Sequence, residues 1–237
     1  SCCYKRIFIF MIRFEGVTKF YKEAHNPSIV DMDLEIKEGE FISIVGHSGA
    51  GKTTFTRLLL CEEAPSEGKV FFGDVDIHKL RGKKLTKYRR GIGTVFQDFR
   101  LLPYKTAYEN IAFAMESAGK TDEEIANDVP HVLELVDLTD RAHHFPRQLS
   151  GGEKQRLSIA RAIINNPDVV IADEPTGNLD PVNTYEVIQI LKKINDLGTT
   201  VILTTHNKGV IDSIKKRVVS LEDGRIIRDE AHGKYIV

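Results

Sequence analysis

The run Phe41-Ile42-Ser43-Ile44-Val45 is almost continuously apolar and passes directly into Gly46-His47-Ser48-Gly49-Ala50-Gly51-Lys52-Thr53-Thr54. A short apolar run without polar alternation predicts a strand buried on both faces, the mark of a parallel sheet. The segment after it fits the pattern G-x-x-x-x-G-K-[ST] in full and precedes a predicted helix at about residues 52–60. Its glycines let the backbone wrap a phosphate, while the helix start adds free N–H groups and the positive end of its dipole. Lys52 is expected to reach the β- and γ-phosphates of a nucleoside triphosphate, and the Thr53 hydroxyl to ligate Mg²⁺.

The flanking pattern suits that reading. Residues 12–18 and 30–36 read as strands, the second with Val30, Met32, Leu34 and Ile36 on one face, and residues 69–76 as one more strand. Helical periodicity extends from Thr106 to about Leu138, with a capping box at Thr121-Asp122-Glu123-Glu124. Pro130 falls inside that helix and predicts a kink or break at about residues 126–130. A second buried run, residues 169–172, is followed by a helix at about 182–197 and a strand at 201–204. Strand, helix and strand in this order imply a parallel sheet with right-handed crossovers. Residues 218–227, around Asp223-Gly224, read as a closing hairpin.

Two further segments carry chemistry. The run Val169-Val170-Ile171-Ala172 ends in Asp173-Glu174, at the carboxyl end of a buried strand. That is where open α/β sheets bind ligands. Asp173 is placed to hold Mg²⁺, directly or through water, and Glu174 to act as general base on the attacking water. In Leu149-Ser150-Gly151-Gly152-Glu153-Lys154-Gln155, Ser150 and Glu153 form another capping box, with Gly151-Gly152 in the first helical turn. Free N–H groups and a hydroxyl at a helix start make a second anion site. The loop holding Lys52 already supplies one, so a single chain has no evident use for it.

Composition excludes several classes. A net charge of -1 gives no global attraction to nucleic acid. Cys2, Cys3 and Cys61 have no metal-ligand spacing and read as reduced thiols of a cytosolic protein, Cys61 as a small buried hydrophobe. No stretch approaches the roughly 20 apolar residues that span a bilayer, and residues 1–10 lack the features of a signal peptide. Met11 reads as a natural start, with residues 1–10 an upstream extension or expression remnant. Lys79, Arg81, Lys83, Lys84, Lys87, Arg89 and Arg90 form a basic segment. It reads either as a solvated face or as a contact for anionic lipid or an acidic partner.

Taken together, these motifs resemble the nucleotide-binding subunits of ATP-binding-cassette transporters, over about residues 12–230. The resemblance implies a P-loop α/β fold over residues 11–237, with a mostly parallel core sheet, an N-terminal antiparallel β subdomain and a helical subdomain at about 98–160. It implies ATP and Mg²⁺ as ligands. Gln97, in Val95-Phe96-Gln97-Asp98, resembles the glutamine that couples metal and water to a membrane subunit. Asp180, in Asn178-Leu179-Asp180, resembles the aspartate that crosses a dimer interface. His206, in Thr204-Thr205-His206, resembles the switch histidine on the γ-phosphate, and Tyr21 stands where an aromatic stacks on adenine. The family arrangement also gives the second anion site a use. Ser150, Gly151, Gly152 and Glu153 would cap the γ-phosphate of a second subunit's ATP in a head-to-tail homodimer.

Gly46-His47-Ser48-Gly49-Ala50-Gly51-Lys52 and Phe145-Pro146-Arg147-Gln148-Leu149-Ser150 resemble the bacterial cell-division branch, the FtsE type. So do Leu101-Leu102-Pro103 and Tyr108-Glu109-Asn110. That branch implies an integral membrane partner of FtsX type, indirect control of an extracellular peptidoglycan hydrolase, and a peripheral position on the cytoplasmic face of the membrane. Asp173-Glu174-Pro175-Thr176-Gly177-Asn178-Leu179-Asp180 is shared with lipoprotein-release and macrolide-efflux ATPases, which keeps an export complex as an alternative. A soluble cassette acting on nucleic acid or ribosomes would bring two cassettes in one chain, a coiled-coil insertion or a strongly basic surface, and none is present.

Overall fold

The computed structural model describes residues 11–21, 26–231 and 233. The expected extension at residues 1–10 lies outside them. Two antiparallel strands open the fold, β1 (Ile12–Lys19) and β2 (Ile29–Ile36). In β2 the buried face is Ile29, Met32, Leu34 and Ile36, and Val30 is only partly covered. The expected alternation slips by one because Asp31 adopts φ 44°, as at a bulge.

The predicted buried run becomes β3 (Phe41–Val45), in which every residue is buried, and leads into helix α1 (Lys52–Leu59). The single strand expected at residues 69–76 is instead a hairpin of β4 (Glu67–Phe72) and β5 (Val75–Asp76). Gly73, at φ 57°, and Asp74 form a two-residue turn that reverses the chain between them. Strands β1, β2, β4 and β5 make one antiparallel sheet in the order β2-β1-β4-β5.

Five of the seven basic residues, Lys83, Lys84, Lys87, Arg89 and Arg90, lie on helix α2 (Gly82–Arg90), which fully buries none of its residues, while Lys79 and Arg81 precede it. Part of it is structural. Tyr88 Oη donates to the Leu59 carbonyl at 2.7 Å, and the Arg89 guanidinium donates to the Leu60 and Cys61 carbonyls at 3.0 Å. These bonds satisfy acceptors at the end of α1 that the helix leaves open. Burial pushes the Tyr88 phenol up, and the half-buried Cys61 thiol up to about 11.

Helices α3 (Ala107–Ala118) and α4 (Asp122–Leu135) are separated by Gly119, whose φ of 85° caps α3 in the left-handed conformation. The expected break at Pro130 does not occur, and α4 runs through it. Pro130 and Ala126, the residue whose carbonyl loses its donor, both lie on the exposed face, where that carbonyl is open to solvent and need not be buried unpaired. Buried Ile125, Val129 and Leu133 hold the opposite face.

The second sheet adds β6 (Ile92–Phe96), β7 (Val169–Asp173), β8 (Thr200–Thr205), β9 (Arg217–Glu222) and β10 (Arg225–Glu230) to β3, in the order β10-β9-β3-β8-β7-β6. All are parallel except β10, which closes the predicted hairpin. Three more helices complete the fold, α5 (Gly151–Ile163), α6 (Pro181–Asp196) and α7 (Lys208–Ile214). Strand alternation divides the core into two layers. Val170, Ala172, Val201 and Leu203 face the apolar sides of α3 to α6, while Val169, Ile171 and Ile202 face α1 and the antiparallel sheet.

Phe55 of α1 stacks on Phe14 of β1 with ring centroids 4.9 Å apart, both rings essentially inaccessible. Phe55→Ala should therefore cost about 3–5 kcal/mol in urea unfolding. Tyr104→Ala, at a side chain 92% exposed, should change stability by less than about 0.5 kcal/mol. Equal effects would contradict the assignment of the core.

Candidate active site

Adjacent parallel strands bring three chain segments to one edge of the core sheet. The first is the loop between β3 and α1. Gly46 is packed so closely that a β-carbon there would collide with the Leu221 carbonyl. Gly51 combines φ 107° with a position where a β-carbon would lie 2.6 Å from the Ser28 carbonyl. Both positions accept only glycine. No side chain caps α1 and its first turn has no acid, so its N–H groups face the loop's concavity. Lys52 is buried, and its ammonium donates to the carbonyls of Gly46 at 2.7 Å and His47 at 3.1 Å.

The second segment is the end of β7. Glu174 Oε1 lies 3.4 Å from Lys52 Nζ and 2.9 Å from His206 Nδ1. The third segment is the end of β8, which carries His206. A cavity of about 660 Å³ opens over all three. Its walls include His47, Ser48, Gly49, Gly51, Lys52, Thr53 and Thr54 on one side, and Gln97, Glu174 and His206 on the other. Gln97 Nε2 donates to Asn178 Oδ1 at 3.3 Å, which ties the loop after β6 to the segment after β7.

Other expected residues lie outside this cavity. Gly46 and Ala50 are buried beneath the loop. Asp173 is partly buried behind Glu174 and accepts a hydrogen bond from the Thr204 hydroxyl. Tyr21 is not among the lining residues. Its ring centroid lies 5.1 Å from Lys19 Nζ, and its hydroxyl is buried without a partner among the described residues. Residues 22–25, which follow it, lie outside the description.

Sequence reasoning missed Ser28, which lines the cavity, and Thr204. Ser28 precedes β2 in no recognisable motif. Thr204 carried a faint signal, a hydroxyl interrupting a buried strand.

The segment from Ser150 to Glu153 is built as a helix start but contributes nothing to the cavity wall. Ser150 Oγ accepts from the Glu153 N–H at 3.2 Å, and Glu153 Oε2 accepts from the Ser150 N–H at 2.7 Å. Gly152 abuts Asn183, whose side-chain amide a β-carbon at 152 would strike. Asn183 Nδ2 in turn donates to Asp180, and Asp180 caps α6 by accepting from the N–H groups of Val182 and Asn183. The Asn183 N–H foremost, with its side chain, holds the Asp180 carboxyl below the usual range. Among the described residues no cluster of three His, Cys, Asp or Glu side chains forms a metal cage. Mg²⁺ needs none, since it keeps waters and takes one or two protein oxygens beside substrate phosphates. Thr53, Gln97 and Asp173 offer oxygens of the right kind.

Arg141, at 2.8 Å from Glu153 Oε1, and then the Ser150 N–H hold the Glu153 carboxyl at about 2 against an ordinary 4.5. A depressed carboxyl adds stability that is complete above pH 4.5 and fades as pH falls toward 2. Glu153→Gln should accordingly be less stable than wild type by a constant margin above pH 4.5, in urea unfolding, and the margin should shrink below it. A margin independent of pH would contradict this.

Comparison with known proteins agrees with this geometry. The ABC transporter family pattern matches residues 29–177. The cell division ATP-binding protein FtsE of Mycobacterium tuberculosis is 49% identical over 225 residues, covering 95% of this chain and 98% of that protein. The FtsE of Bacillus subtilis is 49% identical with the same coverage. Among solved structures, the dimeric post-hydrolysis state of the ATP-binding cassette MJ0796, bound to ADP and Pi, superposes with a TM-score of 0.85. It shares 38% identity and covers 95% of this chain and 100% of its own. Identity at this level over nearly the whole chain carries the chemistry as well as the shape, and the chain belongs to the ABC transporter family as one of its ATP-hydrolysing cassettes.

Proposed function

We propose that this cassette is the ATPase of a membrane complex of the FtsE/FtsX type, working as a head-to-tail homodimer with ATP between two chains. One observation carries the reading. Lys52, Glu174 and His206 meet in one cavity, while the helix start at Ser150 to Glu153 contributes to none of its walls. Each chain thus holds one half of a phosphate site twice over, and a second copy supplies the missing half. The dimeric, ADP- and Pi-bound cassette similar to this chain supports the arrangement. Asp180, capping α6 beside the start of α5, belongs to the same face.

In this reading ATP lays its phosphates along residues 46–54, and Tyr21 stacks on the adenine. The Lys52 ammonium turns from the Gly46 and His47 carbonyls toward the β- and γ-phosphates. Glu174, freed from Lys52, accepts the proton of the attacking water, and His206 holds the carboxylate and meets the γ-phosphate. Thr53, Asp173 and Gln97 would hold Mg²⁺, which supplies charge neutralisation on the phosphates. Hydrolysis of the β–γ anhydride leaves ADP and phosphate, and so detaches each nucleotide from the γ-phosphoryl group that the partner's α5 start would hold.

The cell-division assignment rests on similarity to FtsE over 98% of that protein's length. The dimer's closing and parting would move an FtsX-type partner and so regulate a peptidoglycan hydrolase outside the cell. No described helix is long and apolar enough to cross a membrane. The partner would hold the cassette at the cytoplasmic face. Lys83, Lys84 and Lys87 of α2, with no carboxylate partner among the described residues, are available to that contact.

Lys52→Ala should abolish productive ATP binding in equilibrium titration. Glu174→Gln should bind ATP, lose turnover by about 100- to 10,000-fold, and accumulate a dimer by light scattering. Normal turnover in Glu174→Gln would remove it as the base, and a tight-binding Lys52→Ala would remove the phosphate loop from the mechanism.

A further inference from the structure

Thr204 is wholly buried, yet its hydroxyl is fully used. Strands β7 and β8 pair in register with Asp173 opposite Thr204. The hydroxyl donates to Asp173 Oδ1 at 2.5 Å and accepts the Glu174 N–H at 3.2 Å. The same N–H reaches the Thr204 carbonyl at 3.0 Å. Glu174 sits at φ 49°, a left-handed conformation that a residue with a β-carbon keeps only where its surroundings hold it. Among the described residues, no other side chain donates to Asp173.

We propose that Thr204 is a positioning residue for ATP hydrolysis. Its one hydroxyl fixes the carboxylate of Asp173 and the backbone of Glu174 relative to each other. A hydroxyl has a single proton, and here it goes to Asp173. That fixes the rotation of the carboxylate and leaves its second oxygen for the metal. The Glu174 N–H, already bonded to the Thr204 carbonyl, gains a second hold from the hydroxyl in its left-handed turn, where its carboxylate lies beside Lys52 and His206. Partners of this kind, one bond removed from the metal, set how well a ligand is oriented. The proposal rests on the reading that Asp173 faces Mg²⁺ and Glu174 the attacking water.

The test uses the full chain with Thr204→Val, which keeps the branched shape, Thr204→Ser, which keeps the hydroxyl, and Asp173→Asn for reference. Thr204→Ala, which adds no bulk, replaces valine if valine does not fold. Two quantities are read: the Mg²⁺ concentration for half-maximal turnover, and the affinity for ATP with Mg²⁺ and with EDTA in a Glu174→Gln background. Thr204→Val should raise the Mg²⁺ requirement about 10- to 100-fold and erase a similar factor of Mg²⁺-dependent ATP affinity. Affinity in EDTA should be unchanged, and Thr204→Ser should behave as wild type. A merely structural hydroxyl would weaken ATP binding equally with and without metal, and that result overturns the proposal. So does an unchanged Mg²⁺ requirement in Thr204→Val beside a defective Asp173→Asn. An unchanged requirement in Asp173→Asn overturns the assignment of Asp173 itself, and the proposal with it.

Discussion

The position of β8 between β3 and β7 is the constraint on which the site depends. In parallel register, Val45 pairs with Thr205 and Asp173 with Thr204, so the three strands end within a residue of one another. The residues just past those ends are Gly46, His206 and Glu174. A phosphate loop, a histidine and a carboxylate far apart in sequence therefore meet without any long side chain or irregular loop to bring them together. The apolar runs that build these strands are buried on both faces, which fixes their order and register by the same burial that stabilises the fold.

Electrostatics at that edge are poised for exchange. The buried Lys52 ammonium is satisfied by two carbonyls of its own loop and by Glu174. A buried ammonium without partners would be costly, so these contacts let the loop fold before any phosphate arrives. In the proposed function, a phosphate group would offer more negative charge in the same place and free Glu174 for a different proton. The helix start at Ser150 to Glu153, proposed above as a second anion site, is stiffened by a closed capping box, by Arg141 and by Asn183, which also holds Asp180. The starts of α5 and α6 thus pack as one surface.

Much of this was legible because chemistry and local geometry coincide in the sequence. Both capping boxes and the closing hairpin satisfy their own backbone locally, and the phosphate loop is marked by its spaced glycines and Lys52, so short patterns reveal them. Elements that depend on distant partners were not legible. Strand β6 carries Gly93 because a β-carbon would collide with the Ala162 carbonyl of α5, and a glycine weakens the look of a strand. Helix α2 fully buries none of its residues and is mostly basic, so partly covered Leu85 and Tyr88 are its only apolar signal, while α7 is only seven residues long. Pro130 misled because its cost depends on whether water reaches the orphaned carbonyl. Thr204 became visible only once register placed it opposite Asp173.

The central claim is that one chain is half of two sites. It is tested most directly by turnover per chain as a function of chain concentration, at saturating ATP, with sedimentation reporting the mass at each point. Turnover per chain should vanish where the protein sediments as a monomer and rise to a plateau as dimer forms. Constant turnover per chain, extending into the concentrations where only monomer sediments, would contradict it.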